Sequence, residues 1–350
     1  MGARAARVPA APVVDHGSVR DYAYFDGRLA TGLAELSHDP AVLDGPGWWA
    51  VVGTFEGRWT FARFTDVRPA PLPEGAWVGP SATAWRTSLG RRAYEQGVRE
   101  IREQIAQGWI YQVNLCRVLT APVSGRSEPA GLARLLADGN PAPYAGVVDL
   151  PDVGVRVVSA SPELFLSRSG DTLSSGPIKG TGKTAADLLP KDTAENVMIV
   201  DLVRNDLSHV AEPGSVDVPE LCVVREHPGL VHLESLVTAK LRPGLGWADI
   251  LEAAFPPGSV TGAPKYSALK TIADLERESR GPYCGAIGWV DGDRREARMA
   301  VGIRTFWLEH GLLRFGTGAG ITWGSDPTGE WAETELKAER LIGLANASVG

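Results

Sequence analysis

Lysine is scarce in this 350-residue chain: Lys and Arg total 35, of which only seven are lysine, and none precedes Lys179. Arginine keeps its charge at any ordinary pH, so these few positions are where an amine could act as base or nucleophile. Cysteine is scarcer still. Cys116, Cys222 and Cys284 are odd in number and lack C-x-x-C spacing, which excludes a disulfide framework or a thiolate zinc site and points to a reducing compartment. No apolar run approaches the roughly 20 residues of a membrane span. The opening MGARAARVPAAPVVDHG is broken by prolines before a signal-peptide core could form, so the expectation is a cytoplasmic protein with no membrane partner. Positive charge is not in excess either: Lys+Arg 35 against Asp+Glu 42 gives a net charge of −7. That balance opposes sequence-independent attraction to nucleic acid or to an anionic lipid surface.

What is present is a globular composition, 44% hydrophobic, enough for one large core or two smaller ones. Residues 1 to about 20 read as a loose arm. WWAVVGTF and WTFARF around Glu56-Gly57-Arg58 read as a β-hairpin, followed by the proline-rich link RPAPLPEGAWVGP. Tyr94, Val98, Ile101 and Ile105 are spaced for one face of a helix over Arg92 to Gln107, ended by Gly108. WIYQVNLCRVL, YAGVVDL, VRVVSAS and ELFLSRS read as strands. Asp192 to about Val210 reads as a helix with Val200, Val203 and Leu207 toward the core, and another helix follows Pro264. GAIGWV, MAVGIRTFWL and LLRFGTGAGITW, separated by DGDRRE and EHG, read as an up-and-down meander, with a closing helix from about Thr328. The class is α+β, antiparallel sheet with helices on its outer faces, in one unit.

GTGKT at Gly180 to Thr184 imitates a nucleotide-binding phosphate loop, and its spacing rules that out. Five residues rather than four separate Gly176 from Gly182, and Pro190 interrupts the helix that would have to follow.

The carboxylates form helical rows. Asp192 and Glu195 share one face, and Glu330, Glu333, Lys337 and Arg340 repeat at three and four on the last helix. Taken alone these rows read as solvated stripes. Facing one cavity, they would suit Mg²⁺, a hard ion that takes oxygen ligands and keeps exchangeable waters. GTGAGIT at Gly316 to Thr322 offers unhindered backbone N–H groups to an anion, or answers a bulge or turn requirement. Arg304 could pair with a carboxylate bidentately. Glu163, behind Pro162 at the head of an apolar strand, would keep a proton if buried, and Lys179 stands between Pro177 and Gly180 on a tight backbone.

These segments together resemble the chorismate-utilising enzymes, a family that includes anthranilate, isochorismate, salicylate and aminodeoxychorismate synthases. YQVNL, SASPELF, PIKGT, AENVMIVDLVRNDL, HLES, PPGSVTGAPK, GPYCGAIGW, GIRT, GAGIT and EWAETELK appear in family order from about residue 90 to 345. The resemblance implies antiparallel sheets packed as a sandwich. Residues 1–90 would be a short amino-terminal region contributing to it, and residues 91–347 the chorismate-binding catalytic core. It also implies Mg²⁺ held by Glu195 and Glu333, with Asp192 and Glu330 acting through water. Arg304, Tyr283, Lys337 and the backbone of Gly318, Ala319 and Gly320 would hold the enolpyruvyl carboxylate. Thr181 and His232 would line the ring pocket, and Glu163 would be the acid for the departing C4 hydroxyl. No tryptophan site is carried over to the short amino-terminal region.

Two positions sort the family's chemistry. Members that add water carry a lysine base on the YQVNL strand, where this chain has Gln112, so amination is expected rather than hydroxylation. Anthranilate synthases show Ala in PIAGT, whereas PIKGT with Lys179 resembles the aminodeoxychorismate synthases and implies covalent attack by the lysine. No cysteine here sits in a G-x-C-x-G elbow, so ammonia is expected from a separate glutamine amidotransferase subunit.

Overall fold

The computed structural model describes residues 20–182, 184–188, 190–227 and 230–349, with only the backbone at Thr181, Pro190, His227 and Leu230. The amino-terminal arm therefore lies outside the described residues. In chain order the elements are β1 Tyr22–Phe25, β2 Arg28–Ser37, β3 Trp48–Gly53, β4 Trp59–Pro69, β5 Trp77–Val78, β6 Arg86–Thr87, α1 Arg91–Ala106, β7 Gln112–Pro122, α2 Pro129–Gly139, β8 Tyr144–Leu150 and β9 Val155–Ser161. There follow β10 Leu164–Ser169, β11 Thr172–Gly176, β12 Ile178–Gly182, α3 Pro190–Ser208, β13 Asp217–His227, β14 Leu230–Lys240, α4 Trp247–Ala254, β15 Gly262–Ala263 and α5 Lys265–Leu275. The chain closes with β16 Ala286–Asp291, β17 Glu296–Val301, β18 Thr305–Glu309, β19 Leu312–Ile321, α6 Pro327–Ala345 and β20 Ser348–Val349.

Among the described residues, eighteen strands form one continuous antiparallel ribbon. One half runs β7–β19–β18–β9–β8–β1–β2. It continues through β4–β3–β16–β17–β10–β11–β14–β13, with β12 also on β14. The ribbon folds over so that apolar faces of its two halves meet. Cys116, Val118, Val148 and Val157 share one core with Val51, Ala286 and Met299. On the far side, α2 and α6 cover Val147, Val158, Phe306 and Phe315, and α1 and α5 cover Val113 and Leu115 of β7. This is the α+β sandwich with outer helices that the sequence suggests. The alternation along β7 explains it: Val113 and Leu115 face the helices while Cys116 and Val118 face the other half.

The expected meander is corrected. MAVGIRTFWL is two strands, because β17 pairs with β10 and β16 whereas β18 pairs with β9 and β19. The chain crosses between halves at Gly302–Arg304, and Arg304 takes φ +51° at the break. Hydropathy alternates on both sides of the crossing, so period alone cannot see it. The proline-rich link is also anchored. Trp77 is fully buried and its indole N–H donates to Ala345 O at 2.8 Å.

Candidate functional site

The site is built on a strip of β19 without side chains. Gly316, Gly318 and Gly320 alternate along the strand, so all three share one face, while Ala319 and Ile321 turn toward α1 and α5. Cβ atoms on the three glycines would stand 2.0 Å from the Tyr283 ring, 2.6 Å from Cys116 Sγ and 2.8 Å from Gln112 Nε2, respectively. The two-residue spacing of GTGAG is therefore a packing signal as well as a chance to bind an anion. Beyond Phe315, β19 has β7 on one edge and no strand on the other among the described residues. The Gly318 carbonyl accepts from Lys337 Nζ at 3.2 Å on that open edge. A strand residue's N–H and C=O point the same way, so the amides of Gly318 and Gly320 face it too.

Above Gly320 three predicted residues converge. Lys179 Nζ lies 3.7 Å from the position of a Gly320 Cβ. Gln112, 1% exposed, has its amide nitrogen and oxygen buried with no hydrogen-bond partner among the described residues, an arrangement that costs free energy unless a ligand supplies the bonds. Glu163 is buried at the head of β10, and burial pushes its carboxyl up to about 7. The Ser259 hydroxyl, the Lys179 ammonium and the Ile178 N–H oppose that rise. At neutral pH the group is thus balanced between acid and carboxylate.

The carboxylates of α3 and α6 meet across the same space. Burial raises Glu195, with Lys179 and Lys191 opposing and Asp192 and Glu333 adding repulsion. Glu330 is raised by burial against a hydrogen bond from Ser325. Burial also pushes Glu333 upward, yet Lys337, 2.6 Å from its Oε1, together with Lys191 and Lys179, holds it below the usual range. Asp192 packs beneath Gly180, which takes φ +69° and whose Cβ would stand 2.9 Å from that of Asp192. Among the described residues no three His, Cys, Asp or Glu side chains make a closed metal cage. An open pair of mutually repelling glutamates does fit a hard cation that draws its remaining ligands from water and substrate.

Arg304 is half-buried, and burial lowers its guanidinium with no carboxylate among the described residues beside it to compensate. A cation so placed calls for an anionic ligand. The Tyr283 ring lies over Gly316, with its hydroxyl 3.9 Å from Cys116 Sγ. His232 is buried on β14 opposite Thr181, with Nδ1 3.4 Å from Gly180 O. The Thr181 side chain lies outside the described residues, as does Lys183 of the GTGKT segment.

Several contributors escape sequence reasoning. Ser259 sits inside PPGSVTGAPK, but nothing in that string says that it meets Glu163. Arg280, 1% exposed, binds Glu276 at 2.6 Å, Asn114 O at 2.7 Å and Val260 O at 2.8 Å. Glu276 in turn accepts the Cys116 N–H at 2.8 Å. This buried pair braces β7, and hence Gln112, against the loop that carries Ser259.

A family model described as chorismate binding enzyme matches residues 63–343. The chain is 42% identical over 274 residues to aminodeoxychorismate synthase component 1 of Klebsiella aerogenes, covering 74% of this chain and 59% of that one. It is 38% identical over 282 residues to an anthranilate synthase component 1 of Haloarcula marismortui, covering 77% and 55%. The chain thus spans less than two thirds of the length of these relatives. The crystal structure of anthranilate synthase component I from Streptococcus pneumoniae superposes with a TM-score of 0.72 at 23% identity, covering 98% of this chain and 95% of that one, a likeness of fold.

Proposed function

Because the chain belongs to the chorismate-binding enzymes, we propose that it aminates chorismate at C4, as component I of an aminodeoxychorismate synthase. The observation that carries this reading is the placement of the Lys179 amine beside the unpartnered Gln112 amide over Gly320, with the Lys179 charge felt by Glu163. Lys179, once its ammonium has given a proton to solvent, attacks C2 while the Glu163 carboxyl gives its proton to the C4 hydroxyl, which leaves as water. Ammonia then attacks C4 and the C2–nitrogen bond breaks, returning the lysine amine. Nitrogen ends where the hydroxyl was. The Gln112 amide is not basic, its nitrogen lone pair being delocalised into the carbonyl, so it cannot take a proton from water, which favours ammonia as the nucleophile.

Arg304 and the open amides of Gly318 and Gly320 would take the enolpyruvyl carboxylate, with Tyr283 and Lys337 flanking it and His232 and Thr181 along the ring. Glu195 and Glu333 would hold Mg²⁺, with Asp192 and Glu330 through water. When bound, the ion supplies positive charge for the ring carboxylate of the substrate. Ammonia would come from a glutamine amidotransferase subunit, since Cys116 and Cys284 are buried and Cys222 faces Thr193 O and Asn196. The product would lead to 4-aminobenzoate, for folate or for another aminobenzoate-derived metabolite, in the cytoplasm.

The test is chorismate, Mg²⁺ and ammonium salt with the purified protein, followed by chromatography with mass detection. An aminated chorismate that added aminodeoxychorismate lyase converts to 4-aminobenzoate is expected. Lys179→Ala should abolish turnover while chorismate still binds. A second reading, amination at C2 to anthranilate or 2-amino-2-deoxyisochorismate, draws on the similarity to anthranilate synthases. A C2-aminated product that survives Lys179→Ala would establish it instead.

A further inference from the structure

Glu163 also lines a cavity of about 20 Å³ whose wall includes neither Lys179 nor Gln112 nor Gly320. One water needs roughly 10–15 Å³ and two to four polar partners. The wall offers four: Glu163, Ser175, Asp206 and Ser259, all buried, among apolar Leu166, Val203 and Val301. Asp206 leads outward. Its Oδ2 accepts from Lys265 Nζ at 2.8 Å, and the Lys265 side chain is 26% exposed. The same oxygen lies 3.8 Å from where a Cβ on Gly258 would stand, next to Ser259. The titratable groups that face this path are Lys179 toward Glu163, and Lys265 and His209 toward Asp206.

The proposed reaction creates a need for such a path. Each turnover leaves Glu163 a carboxylate and the newly bonded nitrogen an ammonium, so one proton must return to Glu163 from solvent. Water entering from the chorismate side would compete with ammonia for C4.

We propose that the cavity is the return route for this proton: Asp206, held by Lys265, takes a proton from solvent, and a cavity water passes one on to Glu163. The balance is simple. The Asp206 carboxyl gives its proton to the water, the water gives one to the Glu163 carboxylate, and Asp206 returns to its ion pair. The inference rests on Glu163 being the acid for the C4 hydroxyl. It adds Asp206, Lys265, Ser175 and Ser259 as a relay that touches no substrate atom.

The first turnover uses the proton already on Glu163, whereas every later one needs the relay. Rapid-quench measurement of product per active site, with chorismate, Mg²⁺ and ammonium salt, separates the two. Asp206→Asn and Ser175→Val, the latter filling the cavity and leaving the ion pair intact, should keep the wild-type first turnover. Both should then fall to a steady rate about tenfold or more below wild type. Added formate, a small proton carrier, should partly restore Asp206→Asn. If Asp206→Asn does not fold, Ser175→Val carries the test. Wild-type steady rates in these variants, or a first turnover slowed as much as later ones, would overturn the relay. Glu163→Gln should lose the first turnover as well; if it keeps it, the acid assignment fails and the relay fails with it.

Discussion

Glu163 has two consequences that a single substitution exposes. Its carboxyl is raised from about 4.5 to about 7 by burial, so the folded chain holds a proton that the unfolded chain has already released. Stability contributed by that proton is full below about 4.5 and is lost as pH rises through about 7, in total about 3 kcal/mol by linkage. Denaturant midpoints of wild type and Glu163→Gln should therefore diverge with pH, the variant lacking this share of the fall. Activity should follow the same group. At fixed free ammonia, kcat/KM for chorismate should decline above about pH 7, and Glu163→Gln should lose about 100-fold or more in kcat. A flat pH profile would deny the acid role. The strand-opening carboxylate was visible in SASPELF, but its burial and its Ser259 partner depend on residues nearly 100 positions away.

At the scale of the element, β19 makes a sharper statement than any helix. Its alternating glycines meet different neighbours, so adding one methyl group should have different effects. In Gly316→Ala the new Cβ would run into the Tyr283 ring, a rigid group packed against core, and stability should drop by about 1–3 kcal/mol in chemical denaturation. In Gly320→Ala the nearest atom is the end of the flexible Gln112 side chain. That variant should fold with a near-native midpoint and lose chorismate turnover, because the methyl group occupies the space between Gln112 and Lys179. On α6, if Glu195 and Glu333 hold Mg²⁺ as proposed, Glu333→Gln should weaken its binding, followed by calorimetry with chorismate present, since it removes one of the two proposed metal-holding charges and breaks the Lys337 ion pair. The helices that carry these carboxylates were legible from their apolar spacing. Which stripe met which was not, because a 3.6-residue period fixes a face and leaves its partner open.

For the whole molecule, the closing helix is tied back to the early chain by the indoles of Trp77 and Trp85, which donate to Ala345 O and Asn346 Oδ1. Trp77 fills the layer between α2, α6 and the outer face of the sheet and bonds Ala345 O. Trp77→Phe should cost about 2–3 kcal/mol, from the Ala345 carbonyl left unpaired and the smaller ring in a fully buried site. Trp77→Ala should cost about 3–5 kcal/mol through the cavity it leaves. Since α6 also carries Glu330, Glu333 and Lys337, the alanine variant should weaken the proposed chorismate binding together with stability, read by a calorimetric titration and by chemical denaturation.

What the sequence determined by itself is chemical and local: the family, the α+β class, the positions of the long helices, and the set of acids, amines and glycines from which a site could be made. These follow from residue type and short-range period, which act over one or two turns of chain. The crossing at Gly302–Arg304, the burial of Glu163 against Ser259, the brace at Arg280 and the meeting of Lys179 with Gln112 were decided by tertiary structure. Each depends on which strands become neighbours, and strand pairing joins residues far apart in sequence by backbone hydrogen bonds that any residue but proline can donate.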